Sequence, residues 1–217
     1  MTQTWGIAGM SLAMGYTLGC FNPSALIATC KKTDLREQNT GNLGTSNTML
    51  TFGWGWGLLV LLVDVGKAVI ASLLASLLFS SSSSAGLLAG GASVVGHVFP
   101  IYLKFRGGKG LAPFLGMILA YDPCMFLILL TLSVFLSLIL KYTAAMPTTV
   151  ALLFSPLVFL KSRTLPVTLI ALLTGGLVIY AHRKNIVGAI RRRDRTVREY
   201  LSRILCDNKT SSESPKS

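Results

Sequence analysis

Apolar segments of bilayer-crossing length follow one another along this chain, and that succession restricts its fold more than any motif does. In hydrocarbon every backbone N–H and C=O must be paired without water, which leaves helices for segments of this kind. About 20 apolar residues make one span. Residues 5–29, 51–78 and 85–103 each read as one helix, with the uncharged run Ser80–Ser84 as a short solvated turn between the last two. The next apolar run, 111–140, holds 30 residues, which would reach about 45 Å as one helix against a hydrocarbon core of about 30 Å. That is long for one span and short for two. Asp122-Pro123 interrupts it, because proline lacks the N–H a helix interior needs. The run therefore reads as a short helix, 111–121, and a longer one, 123–140. Residues 143–160 and 165–181 complete a set of seven transmembrane helices, with five as the alternative count.

Charge placement gives an orientation. Only 13% of the residues are charged, against about 25% in soluble domains. Ten of the 20 Lys/Arg residues lie at or after Arg183. Cytoplasmic loops carry the excess of Lys and Arg, so the expectation is an all-α integral membrane protein with its N-terminus outside and its C-terminus cytoplasmic. The inner loops are then 30–50, 104–110, 141–142 and the tail from His182; only Lys161 and Arg163 fall outside. Residues 1–190 form the membrane domain. Residues 191–217 form a cytoplasmic tail, basic and amphipathic at first, with Val197, Leu201 and Leu205 at helical spacing among arginines, and of disordered composition at the end. Nothing before Trp5 is basic, so no cleaved signal peptide is expected. Four scattered cysteines without a CxxC support neither a disulfide framework nor zinc. Two histidines without a carboxylate cluster make no metal set. No nucleic-acid-binding module accompanies the basic tail.

Three polar segments fall on the same side of the membrane. "RGGKG" (Arg106 to Gly110) joins cations to glycines. Gly107, Gly108 and Gly110 would let amides approach an anion and form a nest. The helix starting at Leu111 would add its dipole, and Lys104, Arg106 and Lys109 their charge. It is not the GxxxxGK[ST] phosphate loop of nucleotide hydrolases, because Gly-Leu follows Lys109. A tight positive loop without a ligand is the other reading. "NTGNLGTSN" offers Thr40, Asn42, Thr45, Ser46 and Asn47, with Gly41 and Gly44 for turning; it suits a polyol or phosphate, or a turn that caps the second helix. "HRKN" places His182 three residues before Asn185, on one helix face. A histidine can act as a base near neutral pH, although a lone interfacial histidine is usually neither base nor ligand. Within the spans, Asp64 and Lys67 share a face and form either a structural ion pair or, through Lys67, part of a site. His97 lies one turn before the basic loop.

Taken together, these segments resemble the bacterial acyl-phosphate:glycerol-3-phosphate acyltransferases (the PlsY family). "GHVFPIYLKFRGGKGLA" (Gly96 to Ala112) is similar to that family's central signature and is the most specific match. "GNLGTSN" resembles its first motif, Asp64 and Lys67 its DxxK, and "HRKNI" its third motif, in order over roughly residues 5–195. The resemblance implies seven transmembrane helices with the active site facing the cytoplasm of a bacterial cell. It implies transfer of a fatty acyl group from acyl phosphate to the 1-hydroxyl of glycerol 3-phosphate, giving lysophosphatidic acid and phosphate, with no external cofactor. A phosphate acyltransferase supplying acyl phosphate would be its functional partner. Mapped onto this chain, Gly107, Gly108, Lys109 and Gly110 would hold phosphate, with Lys67, His97 and Lys104 nearby. Thr40, Gly41, Asn42, Gly44, Ser46 and Asn47 would orient the acceptor. His182 and Asn185 would contact the acceptor, His182 as a candidate proton acceptor beside a phosphate oxygen.

The chain departs from the pattern. Thr40 stands for a serine, and Asn39 for a glycine. Leu50 stands for an arginine, removing a charge-assisted bond worth about 1.5–3 kcal/mol. In "KYTAAMP", Ala144 and Pro147 occupy positions expected to be serines, and Asp194 stands near the third motif's later acid. A related transferase with an altered substrate, a weakly active paralogue, and a transporter or lipid-binding scaffold are the alternatives. No internal repeat of the transporter kind is evident.

Overall fold

The computed structural model describes residues 2–191, 196–199, 202 and 203. Their regular structure is helical: α1 (Thr2–Cys20), α2 (Pro23–Cys30), α3 (Thr45–Phe52), α4 (Trp54–Leu78), α5 (Ala85–Val98), a single 3-10 turn (Ile101–Leu103), α6 (Leu111–Tyr121), α7 (Pro123–Leu140), α8 (Ala145–Ser162) and α9 (Leu165–Ile190). Five segments among the described residues are long and apolar enough to cross a membrane: Trp54–Leu78, Ala85–Leu103, Pro123–Leu140, Ala145–Ser162 and Leu165–Ile190. The 11-residue α6 is apolar but shorter.

Three expected boundaries change, each for a local reason. The helix expected over 5–29 is two helices. Asn22 ends the first and caps the second, its side chain accepting the Ala25 N–H at 2.9 Å, and Pro23 takes the first helical position, where its missing N–H costs nothing. The helix expected from residue 51 starts instead at Trp54. Gly53, at φ +93, separates it from α3, a backbone conformation suited to glycine. The last helix runs on to Ile190, so His182 and Asn185 ride on a helix and not in a tail. The break at Asp122 holds: its side chain accepts the Met125 N–H at 3.0 Å and Pro123 follows.

Small residues let the helices close on one another. A Cβ on Gly15 would collide with the Ala89 carbonyl, one on Gly19 with that of Ser93, and one on Gly96 with that of Tyr16. Gly15 and Gly19 thus form a small-xxx-small face on α1 packed against α5, the usual device for close contact where lipid gives no hydrophobic drive. Gly116 brings α6 against the Val65 carbonyl of α4 in the same way. The main core gathers around α6, α8 and α9, with Phe114, Met117, Ile118, Phe154 and Val178 buried and Phe114 edge-on to Phe154 at 5.4 Å. The outer face of α7 leaves Leu127, Ile128 and Phe135 exposed, as a lipid-facing surface would.

Of the basic tail, Thr196 and Glu199 form a reciprocal cap: Thr196 N–H donates to Glu199 Oε2 at 2.9 Å and Glu199 N–H to Thr196 Oγ1 at 3.2 Å. Val197 N–H reaches the Lys141 carbonyl at 2.9 Å, returning the chain to the α7–α8 junction. Most of the expected amphipathic and disordered tail lies outside the described residues, as does Asp194.

Candidate active site

The site is built where the loop after α5 folds back on that helix. Gly107 N–H donates to the Val98 carbonyl and Gly108 N–H to the His97 carbonyl, both at 3.0 Å. A Cβ on Gly107 would collide with the His97 carbonyl and lie 2.6 Å from Pro100 Cδ. One on Gly108 would strike His97 Nε2 and lie 2.7 Å from the Leu43 carbonyl oxygen. These two glycines are therefore required by close packing. Their amides point at α5 and are not offered to a nest, which differs from the expectation for "RGGKG". The donors free of the helical ladder come later. The first bond of α6 is Phe114 N–H to the Gly110 carbonyl at 3.0 Å, so the Leu111 and Ala112 amides precede it, while Pro113 has no N–H. Gly110, at φ +83, starts α6 with no side chain as cap, and a Cβ there would press on Val94 and Val98 at 3.0 Å.

The first polar loop adjoins this turn through Leu43. Helix α3 also starts without a side-chain cap, at Gly44. Its first bond is Thr48 N–H to the Gly44 carbonyl at 3.1 Å, leaving the amides of Thr45, Ser46 and Asn47 ahead of the ladder. Asn47 is buried and its side chain is committed to structure, its Oδ1 accepting Thr40 N–H at 3.0 Å and its Nδ2 donating to the Leu35 carbonyl at 2.6 Å. Thr40 and Ser46 are exposed, Gly41 turns at φ +67, and Asn42 is half-buried. Arg36 ties the two loops together, its guanidinium donating to the Arg106 carbonyl at 2.9 Å. Lys104 is exposed in a left-handed turn. Leu50 is buried beside Met49.

Helix α9 completes the cluster. Lys109 Nζ donates to Asn185 Oδ1 at 2.5 Å. One turn earlier, His182 Nδ1 lies 2.9 Å from the Val178 carbonyl. A carbonyl can only accept, so Nδ1 carries the hydrogen and Nε2 is the basic nitrogen. Beneath the loops, among buried residues, Lys67 Nζ lies 2.7 Å from Asp64 Oδ1 and 2.9 Å from His97 Nδ1, and donates to the Phe21 carbonyl at 2.7 Å. Asp64 Oδ1 is also 3.2 Å from His97 Nδ1. Lys67 and His97 thus form a layer under the loops. Asn22 and Tyr102, which sequence reading passed over, help to brace it: Tyr102 Oη accepts the Asn22 N–H at 3.1 Å, and Asn22 Nδ2 reaches toward the Leu43 carbonyl at 3.5 Å. The Asn-Pro pair was the available signal for a helix start, but not for the contact with Leu43. Among the described residues no group of three or more His, Cys, Asp or Glu side chains could hold a metal ion.

Known proteins resemble this chain in sequence and in fold. The model of the glycerol-3-phosphate acyltransferase family matches residues 9–192. A glycerol-3-phosphate acyltransferase of Aquifex aeolicus is 36% identical over 174 residues, covering 79% of this chain and 89% of that relative. The glycerol-3-phosphate acyltransferase 1 of Dehalococcoides mccartyi is 37% identical over 196 residues, covering 85% and 94%. The crystal structure of PlsY, an integral membrane glycerol 3-phosphate acyltransferase, in its glycerol 3-phosphate form superposes with a TM-score of 0.80 at 31% identity, over 87% of this chain and 94% of that one. Its lysophosphatidic acid form gives 0.79 at 30%, over 89% and 98%. With helices long and apolar enough to cross a membrane and a family match over residues 9–192, this chain belongs to the glycerol-3-phosphate acyltransferase (PlsY) family.

Proposed function

We propose that the protein transfers a fatty acyl group from acyl phosphate to the 1-hydroxyl of sn-glycerol 3-phosphate, releasing lysophosphatidic acid and inorganic phosphate for phospholipid synthesis. The observation that carries this reading is the bond from Lys109, beside the uncapped N-terminus of α6, to Asn185 of α9, one turn from His182, with the uncapped start of α3 adjoining the same loop through the Leu43 carbonyl beside Gly108. Both substrates bear phosphate, and helix N-termini with a lysine suit phosphate oxygens. Lys109 and the amides that open α6 hold one phosphate. Thr40, Asn42 and Ser46, on the loop shaped by Gly41, Gly44 and Asn47, orient the acceptor, with Asn185 beside it. Lys104 adds long-range attraction from the rim.

In the reaction the acceptor oxygen bonds to the acyl carbon and the bond from that carbon to the phosphate oxygen breaks. The hydroxyl proton passes to His182 Nε2 or directly to an oxygen of the departing phosphate. Phosphate is already a good leaving group, so positioning and charge stabilisation supply much of the rate, and no external cofactor enters. The acyl chain stays in lipid while its carbonyl lies at the interface.

In this reading α1, α4, α5, α6, α7, α8 and α9 are the seven crossings, and α2 and α3 lie at the interface. The N-terminus is outside and the polar end faces the cytoplasm of a bacterial cell, because Lys31, Lys32, Arg36, Lys104, Arg106, Lys109, Lys141, Arg183 and Lys184 all lie there. A phosphate acyltransferase supplies the donor. The test is protein purified in lipid with palmitoyl phosphate and labelled glycerol 3-phosphate, beside Lys109→Ala. Lysophosphatidic acid made by the wild type and lost in the variant is expected. No product from palmitoyl phosphate or palmitoyl-CoA with folded protein refutes the reading. A second reading, a weakly active or altered-substrate paralogue, is favoured by the apolar, buried Leu50; a rise in turnover with Leu50→Arg would support it.

A further inference from the structure

The hydrogen placement on His97 follows from a count at Lys67. An ammonium has three donors and no acceptor. Lys67 Nζ donates to the Phe21 carbonyl at 2.7 Å, pairs with Asp64 Oδ1 at 2.7 Å by charge without hydrogen-bond alignment, and meets His97 Nδ1 at 2.9 Å. A hydrogen on Nδ1 would point at the ammonium across that last gap, whereas a lone pair there accepts a charge-assisted bond. All three side chains are buried, at 1%, 6% and 3% exposure for Asp64, Lys67 and His97, so water does not substitute for a lost partner.

We infer that the buried Asp64–Lys67 pair is a positioning device. It holds His97 in the tautomer with its hydrogen on Nε2, locks the ring plane against Gly108, and thereby sets where Lys109 stands. His97 grips Gly108 twice. Its carbonyl takes the Gly108 N–H at 3.0 Å, and its Nε2 edge fills the space where a side chain on Gly108 would be. The next residue is Lys109. The loop is thus referenced to α5, and through Lys67 to α4 and the end of α1. A flipped ring would put a carbon where Nδ1 meets Lys67. Asp64, Lys67 and His97 act through the loop and are positioning residues in this scheme, which rests on the reading of Lys109 as a phosphate ligand.

The chain has two histidines, and their surroundings require opposite tautomers: Nε2–H on His97 and Nδ1–H on His182. Full-length protein in lipid nanodiscs, labelled with ¹⁵N-histidine, should show one ring of each kind by NMR. In Lys67→Met the His97 hydrogen should move to Nδ1, where Asp64 Oδ1 waits at 3.2 Å. Turnover should fall about 100-fold, as for a catalytic group displaced by roughly 1 Å, without a matching rise in KM for glycerol 3-phosphate. Two rings of the Nδ1–H kind in the wild type overturn the inference, whether or not the variant folds. So does a Lys67→Met protein that loses thermal stability but keeps its His97 resonances and turnover, as a merely structural ion pair would. Lys109→Ala, run in parallel, separates the two claims: full turnover there refutes the phosphate reading, while the tautomer result stands by itself.

Discussion

Replacing Gly108 by alanine tests the packing that sets the site's geometry. The added methyl would overlap His97 Nε2 and lie 2.7 Å from the Leu43 carbonyl oxygen. Neither neighbour yields easily, since the ring is buried and bonded to Lys67 and the other is backbone. Overpacking of this kind costs about 1–3 kcal/mol, and the least constrained response is for the loop to rise and carry Lys109 with it. A shift of roughly 1 Å at a reacting group costs about 100-fold in rate. Gly108→Ala should therefore lower the melting temperature modestly and turnover severely, read as labelled lysophosphatidic acid formed from palmitoyl phosphate in lipid. Gly66→Ala is the control: the glycine lies inside α4 with nothing within 4 Å of its Cβ position, and alanine should stabilise that helix by about 1 kcal/mol. Combining Gly108→Ala with His97→Ala makes room for the methyl, so the two stability effects should couple by about 0.5–3 kcal/mol. Wild-type turnover in Gly108→Ala, or strict additivity in the double variant, would refute the packing account.

Asn185→Ala removes the acceptor of the Lys109 bond and should cost about 1.5–3 kcal/mol, a ten- to hundredfold loss in kcat/KM by initial rates. Asn47→Ala strands the Leu35 carbonyl and Thr40 N–H and should destabilise by about 1–3 kcal/mol in thermal unfolding, with activity falling through the loop. At the opposite end of the bundle, the Asp122 carboxyl is held below the usual carboxylate range, first by Lys161, whose Nζ lies 2.5 Å away, and then by the Met125 amide. A depressed pKa gives stability that is full above the unfolded-state value and lost as pH falls through the folded one. Asp122→Asn should therefore lower the melting temperature near neutrality, where the wild type has this stability in full, and converge with the wild type below about pH 4, where the wild-type carboxylate takes up its proton.

The sequence by itself determined the helical class, the break at Asp122-Pro123 and the gathering of charge at one end. Each rests on local chemistry: apolar length, a proline without an N–H, and lysines and arginines kept out of hydrocarbon. It also carried the three polar motifs and hence the family. It did not reveal where α1 stops, though Asn22-Pro23 was a readable cap, because the apolar run on both sides masked it. Tertiary structure alone decided what each motif residue does. Gly107 and Gly108 look like a nest in sequence, yet their amides turn to α5, because the loop must fold flat on His97 to bring Lys109 to Asn185. Asn47 looks like a ligand, yet it is spent on Leu35 and Thr40. Periodicity and composition assign a residue to a face or a loop. Which partner takes each hydrogen depends on contacts between segments far apart in the chain, such as Lys67 with Phe21 and His97, and only the packed bundle brings those together.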